Sequence, residues 1–309
     1  MRGTFYLVLT GFFLSTVGIW VKLIGPDVSP FLLTICRVIF AAVMILLLVV
    51  FSRSIKTRET LGIKKKDLLI FLAAGFFGVT IGFGLYMKAF SFVPVANAVA
   101  LVYVYPIATA FLSWVFLREK ITQWEVVALF LILIGVWSIY APEINLASNA
   151  FGNLLAVAAG IGYSVFIVFM RYFEAKGMPY WKVTFWPLLI GGLILLLFLP
   201  LEPLAFSPSG LVPLFILGIA LSSFFGYILY AKGLKTVRAH DAVIIASMTE
   251  PLSAIVLAFL LLGEALPQHV LLGAALIIVA NVLAGFEHRK KRLHKIKAKK
   301  DQSDFGWVW

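Results

Sequence analysis

The chain has 309 residues, 62% of them hydrophobic and 13% charged, with a mean hydropathy of +1.03. A soluble domain carries about 25% charged residues, so a single core in water is excluded and lipid must cover much of this surface. The net charge of +12 is confined to short loops and a tail between long apolar runs, which argues against a nucleic-acid binder and for basic loops on one side of a membrane.

Ten segments approach the roughly 20 apolar residues that a membrane span needs. They cover 4–24, 30–51, 67–88, 95–117, 122–140, 151–173, 180–200, 210–231, 238–262 and 267–286. The first is longer than a signal-peptide core and lacks a small-residue cleavage site, so it reads as a span. Cys36 is the one cysteine, which rules out an intrachain disulfide and a cysteine metal site; no metal site is expected. Breakers mark the junctions: Gly25-Pro26, Ser29-Pro30, Pro94, Pro142, Pro179, Pro200, Pro203, Pro208 and Pro267. Proline is tolerated there because the first turn of a helix has no use for its missing N–H.

The basic residues set an orientation. With the N-terminus in the cytoplasm, all Lys and Arg except Lys22, Arg37 and Lys88 fall on the cytoplasmic side, including Arg53, Lys64, Arg118, Arg171, Lys232, Arg238 and the tail. Asp27, Glu143, Glu202 and Glu264 fall on the other. Both termini are therefore expected inside, in an all-α integral membrane protein of ten helices. The expected location is the cell membrane, with the basic tail 287–309 lying along anionic headgroups.

The chain repeats itself. A shift of 149 residues places Gly3, Gly11, Ser15 and Pro30 on Gly152, Gly160, Ser164 and Pro179. A shift of 144 places Gly82, Tyr86 and Lys88 on Gly226, Tyr230 and Lys232, and one of 145 places Pro106, Glu119 and Gln123 on Pro251, Glu264 and Gln268. The halves are 1–142 and 143–286. Five helices per half is an odd number, so the second half is inverted, and such repeats place a substrate near the midplane where they meet.

The repeated segments Pro106–Gln123 (PIATAFLSWVFLREKITQ) and Pro251–Gln268 (PLSAIVLAFLLLGEALPQ), together with Ser29–Arg37 (SPFLLTICR), resemble the EamA type of the drug/metabolite transporter superfamily, over nearly the whole chain. The resemblance implies a ten-helix transporter with a central cavity lined by helices 1, 3, 4, 6, 8 and 9. Arg118 departs from it, standing where the family usually has glycine, and Trp186 stands at the second-half counterpart of Arg37.

Candidate site residues follow from cost. Glu250 lies near the middle of the apolar run Val237–Leu262. A carboxylate at that depth is expensive unless it faces a cavity or a partner. It could carry a coupling proton, face a cationic substrate, or simply pair with Arg37. Pro251 frees a carbonyl one turn earlier, which suits an irregular helix lining a cavity. Arg37 could bind a substrate carboxylate, pair with Glu250 or snorkel outward. Trp20, Tyr86, Tyr103, Tyr105, Tyr163, Phe224, Phe225, Tyr227 and Tyr230 are candidate aromatic contacts for a cation or a ring, against the alternative that they belong to interfacial belts. Asn97 and Asp241 are expected to cap helices, His240 to be solvated, and Glu119 and Glu264 to cap the helices that follow them. Gly78 and Gly82 form a small-residue face for close helix approach or sliding, with Pro106 the counterpart of Pro251.

No GxxxxGK[ST] motif is present, so no ATP site and no cofactor is expected. The reading is a secondary transporter of a small organic solute by alternating access, with possible proton coupling. A membrane-embedded enzyme is the first alternative, but no HExxH and no Ser/His pair falls in the spans. A channel is the second, and no filter-like loop or charged ring is visible.

Overall fold

A computed structural model describes residues 2–25, 28–51, 61–147, 149–201, 206, 210–280 and 282–284. The basic tail 287–309, Asp27, Arg53, Glu202 and the prolines at 26, 203 and 208 lie outside the described residues.

Among the described residues the fold is all helical, apart from an isolated bridge between Val28 and Phe206. Nine helices are long and apolar enough to cross a membrane: α1 (Arg2–Ile24), α2 (Pro30–Phe51), α3 (Lys65–Ala89), α4 (Val95–Leu117), α5 (Gln123–Glu143), α6 (Ala150–Ala175), α7 (Tyr180–Leu201), α8 (Val212–Leu234) and α9 (Ala239–Leu262). A shorter apolar helix, α10 (Gln268–Ala284), follows. The nine long helices agree with the first nine sequence segments to within a few residues. Large apolar side chains such as Phe51, Leu69, Phe116, Leu197 and Leu260 point outward and exposed, which only a lipid solvent makes affordable.

Local chemistry sets several ends. α5 begins with a capping box, in which Thr122 accepts from Glu125 N at 3.4 Å and Glu125 accepts from Thr122 N at 2.7 Å. The side chain of Asn149 accepts from Gly152 N at 3.0 Å and starts α6. Each device satisfies an N–H that the first helical turn leaves without a partner.

Helix irregularity falls in the first half. Residues Ala74–Gly84 of α3 wind as a wide π-type helix, where Thr80 donates to the Gly75 and Gly191 carbonyls. α4 is interrupted at Tyr103 and Val104, directly before Pro106. α9, by contrast, runs unbroken through Pro251. The break expected at the second proline is found at the first, because Pro106 opens a new helical stretch there.

Packing follows the sequence repeat. α1 packs on α8 and α9, α6 packs on α3 and α4, and α2 lies against α7. Gly11 of α1 abuts Ala246 and Thr249 of α9, while Gly160 of α6 abuts Val102 and Val104 of α4. Gly3 meets Thr236 and Val237, and Gly152 meets Phe92 and Val93. In each pair, the second set of contacts involves the repeat counterparts of the first.

Candidate functional site

Glu250 projects from the middle of α9 and is half-buried rather than sealed by packing. The turn before it is self-satisfied: Ser247 donates to the Val243 carbonyl at 2.6 Å and Thr249 to the Ile245 carbonyl at 2.7 Å. Glu250 is electrostatically coupled to the phenols of Tyr86, Tyr103, Tyr105, Tyr140, Tyr163, Tyr227 and Tyr230 and to Arg37. A carboxylate within a membrane span is costly unless it faces a partner or a cavity, which makes Glu250 the leading candidate.

The aromatic residues form one contiguous wall. Tyr103 meets Tyr105 at 5.5 Å between ring centroids, Tyr105 meets Tyr163 at 5.0 Å, and Tyr163 meets Phe83 at 5.3 Å. Phe83 stacks on Tyr227 at 5.7 Å and meets Phe166 edge-on at 5.8 Å. The geometries are mostly edge-to-face, which the ring quadrupole favours. Four helices contribute, so the wall exists only in the folded bundle. The Tyr230 hydroxyl is buried there without a hydrogen-bond partner.

Arg37 supplies the positive counterpart. Its guanidinium lies 5.2 Å from the centroid of Phe83, and its Nε is buried without a hydrogen-bond partner. It acts on Glu250 through space, and no ion pair between the two occurs among the described residues. The guanidinium thus rests on the Phe83 ring and acts on Glu250 at a distance.

Close helix approach brings the wall together. A methyl group on Gly82 would come within 2.8 Å of Tyr163 N, and one on Gly78 within 2.8 Å of the Phe166 Cβ. Only hydrogen at these positions lets α3 lie against α6 and bring Phe83 to Tyr163.

Other candidates lie elsewhere. Trp20 donates to Ser222 Oγ at 3.0 Å and stacks on Phe215, beside a cavity of about 240 Å³ lined also by Thr16, Ile19, Leu23, Leu261 and Leu262. Phe224 is buried on α8 against Phe225, which in turn stacks on Phe13. Phe83, Phe166 and Tyr140 were not singled out by the sequence. Phe83 lies between Gly82 and Gly84, and Phe166 follows Tyr163 by three residues, which are usable signals in retrospect. Tyr140, near the end of α5, carries none.

A second polar cluster lies where α4, α6 and α9 meet, and three sequence expectations change there. His240 is fully buried, not solvated, with Nδ1 at 3.2 Å from Glu119 Oε2. Glu119 does not cap the helix after it, since the Thr122–Glu125 capping box does that. It accepts instead from Ala239 N at the start of α9, at 2.9 Å, and from Arg171 Nε at 3.1 Å. Asp241 holds Arg238 at 2.6 Å rather than capping a helix. A fourth expectation changes at the opposite end of α4, where Asn97 does not cap a helix but clamps the α5–α6 connection, donating to Asn145 O at 2.7 Å and accepting from Asn145 N at 2.9 Å. Burial pushes the Glu119 carboxyl up, but the hydrogen bonds from His240 and Arg171 outweigh it and hold the group below its ordinary value. Burial lowers Arg238, and its bonds to Asp241 and Glu125 more than reverse this.

Glu125, His240 and Asp241 are close enough together to hold a metal ion. Arg238 already donates to Asp241 Oδ1 at 3.0 Å and to Glu125 Oε1 at 2.8 Å. The guanidinium is thus the cation of this cluster.

Comparison with known proteins agrees with this architecture. Residues 1–141 and 150–286 match the EamA-like transporter family. An uncharacterized transporter of Archaeoglobus fulgidus is 27% identical over 281 residues, covering 90% of this chain and 94% of that protein. Solute carrier family 35 member G1 of Homo sapiens is 25% identical over 296 residues, covering 90% of this chain and 77% of that one. A solved crystal structure shares the fold with a TM-score of 0.79 at 21% identity, over 93% of this chain and 98% of the other.

Proposed function

We propose, from the premise that this chain belongs to the EamA-like transporter family, that it is a secondary transporter moving a cationic or zwitterionic organic solute through the space between Glu250 and Arg37. That it is a multi-pass membrane transporter and not an enzyme follows from the family and its relatives. The finer reading rests on one observation: Glu250 is half-buried in the middle of α9 without a hydrogen bond, and it acts electrostatically on the tyrosines of the aromatic wall. A carboxylate among aromatic faces suits an ammonium group, which gains from both the charge and the ring quadrupoles. Arg37 across the space suits the carboxylate of an amino acid.

In this reading the two halves are inverted repeats that rock about the midplane, both termini are cytoplasmic, and the protein sits in the plasma membrane with its basic tail on anionic headgroups. Glu250 exchanges a proton for the substrate cation, so that a pH gradient drives accumulation. No phosphate-binding motif offers another energy source.

The test is uptake of amino acids, primary amines and quaternary ammonium compounds into proteoliposomes, with and without an imposed pH gradient, for wild type and Glu250→Gln. Saturable uptake that the gradient drives in wild type and fails to drive in the variant supports proton coupling at Glu250. Saturable uptake indifferent to both the gradient and the substitution removes the coupling role. Binding of anionic solutes only would overturn the substrate class.

A further inference from the structure

Two ion pairs occupy equivalent places in the two halves. Lys22 at the end of α1 pairs with Glu264, just after α9, and Arg171 near the end of α6 pairs with Glu119, just after α4. Lys22 and Arg171 are counterparts at a shift of 149 residues, and Glu119 and Glu264 at a shift of 145. Each pair joins one half to the other, and the two lie at opposite ends of the bundle.

They are in different states. Glu119 and Arg171 are nearly enclosed, at 9% and 18% side-chain exposure, whereas Glu264 and Lys22 are at 42% and 58%. Glu119 continues past Arg171 to the first turn of α9, where it accepts from Ala239 N and meets His240. Among the described residues the Glu264 side chain hydrogen-bonds to Lys22 alone. The counterpart of Ala239 is Val95, at the start of α4, and Glu264 makes no hydrogen bond to it. Helix packing shows the same asymmetry. α9 packs along Tyr105–Leu117 of α4, while Val95–Val102 packs instead on α5 and α6. The two helices meet at the Glu119 end and part at the Glu264 end.

We infer that Glu119 and Glu264 are the gate residues of the two ends of the transport path, and that each closes its end by binding the first-turn N–H of the opposing helix, α9 for Glu119 and α4 for Glu264. A carboxylate at a helix N-terminus gains from both the free N–H groups and the helix dipole, so the contact holds two helices together and leaves no residue strained when it parts. In this structure the Glu119 gate is shut and the Glu264 gate is open. The ends are unequal in strength. Arg238, His240 and Glu125 reinforce the Glu119 end, and their counterparts at the Glu264 end are Pro94, Ala96 and Val270. The resting equilibrium is therefore biased toward closure at the Glu119 end, since a two-state element follows whichever end binds more strongly.

The inference rests on the alternating-access reading, and one preparation separates the two. Spin labels on Lys120→Cys with Lys235→Cys report the Glu119 end, and labels on Val95→Cys with Ala265→Cys report the Glu264 end, each in a Cys36→Ser background. Distances are measured by electron–electron double resonance in lipid nanodiscs, and the same protein is assayed for uptake. Glu119→Gln is expected to add a longer distance at its own end and a shorter one at the far end. Arg171→Gln, which spares the carboxylate, is expected to shift both in the same directions and serves if the first variant fails to fold. Glu264→Gln is expected to leave the closed end as in wild type while slowing uptake. Loosening of the near end without the reciprocal change at the far end would make Glu119 a structural contact and overturn the inference, as would unmoved distances in a protein with normal uptake. Absence of uptake of amino acids, primary amines and quaternary ammonium compounds by wild type would remove the proposed substrate class, while the distances still decide the gate.

Discussion

Arg118 ends α4 with φ at 54°, and Gly263 ends α9 with φ at 66°. The next amide in each case folds back to the carbonyl six residues earlier, Glu119 N to Ser113 O at 3.2 Å and Glu264 N to Ala258 O at 3.3 Å. The two helices thus stop with the same left-handed cap, one on glycine and one on arginine, and each cap delivers a glutamate to the end of the bundle. The left-handed region costs an L-residue roughly 1–2 kcal/mol, and Arg118 carries that cost where Gly263 does not.

Replacing Arg118 with glycine is therefore expected to stabilise the protein. Relief of the left-handed strain is partly offset by the greater chain entropy of glycine, leaving a gain of about 0.5–1 kcal/mol. Gly263→Ala is expected to lose about 1 kcal/mol. Denaturant unfolding in mixed micelles measures both, and a loss of stability in Arg118→Gly would refute the account of the cap.

Glu250→Gln is expected to fold at least as stably as wild type. The carboxylate has no hydrogen bond to lose, while a charge near the middle of a span costs about 2.5–3.5 kcal/mol on insertion scales. A thermal midpoint equal to or above that of wild type, together with loss of gradient-driven uptake, is the predicted combination. A sharply lowered midpoint would show that the carboxylate has a structural partner.

The aromatic wall predicts a division among candidate contacts. Tyr163→Leu removes a ring that touches Tyr105, Phe83 and Phe166, and a cation–π contact is worth about 0.5–2 kcal/mol. The Michaelis constant for an ammonium substrate should rise about 2- to 30-fold on that scale. Trp20→Leu lies outside the wall and should leave it unchanged. Equal effects of the two substitutions would argue against the wall as the binding surface.

Acid should weaken the Glu119 end in a defined direction. The folded-state pKa of Glu119 lies below its ordinary value, so its contribution is complete above the unfolded value of about 4.3 and disappears as pH falls through the lower folded value. The stability advantage of wild type over Glu119→Gln should hold at neutral pH and close in acid below about pH 4.3. Arg171, His240 and the α9 N-terminus are the groups that face this carboxylate. An advantage that grows in acid would reverse the sign and exclude the network as drawn.

Much of the fold was readable from the sequence because lipid makes the decisive signal local. A span is set by its own apolar length, as in Pro30–Phe51 and Val212–Leu234, and backbone groups must be satisfied within each helix. The repeated glycines were readable for a similar reason, since Gly11 and Gly160 each permit one close crossing. Glu250 stood out because a charge in an apolar run is costly wherever the helix sits.

The surroundings of that charge were decided by tertiary structure. Phe83 looked like any apolar residue of α3 until Gly82 brought α3 against Tyr163 and α8 supplied Tyr227. His240 resembled an interfacial residue, yet it meets Glu119 across 121 residues of chain. Hydropathy reports how one segment partitions into lipid. It does not report which faces of different segments meet, and both the tyrosine wall and the charged gate consist of such meetings.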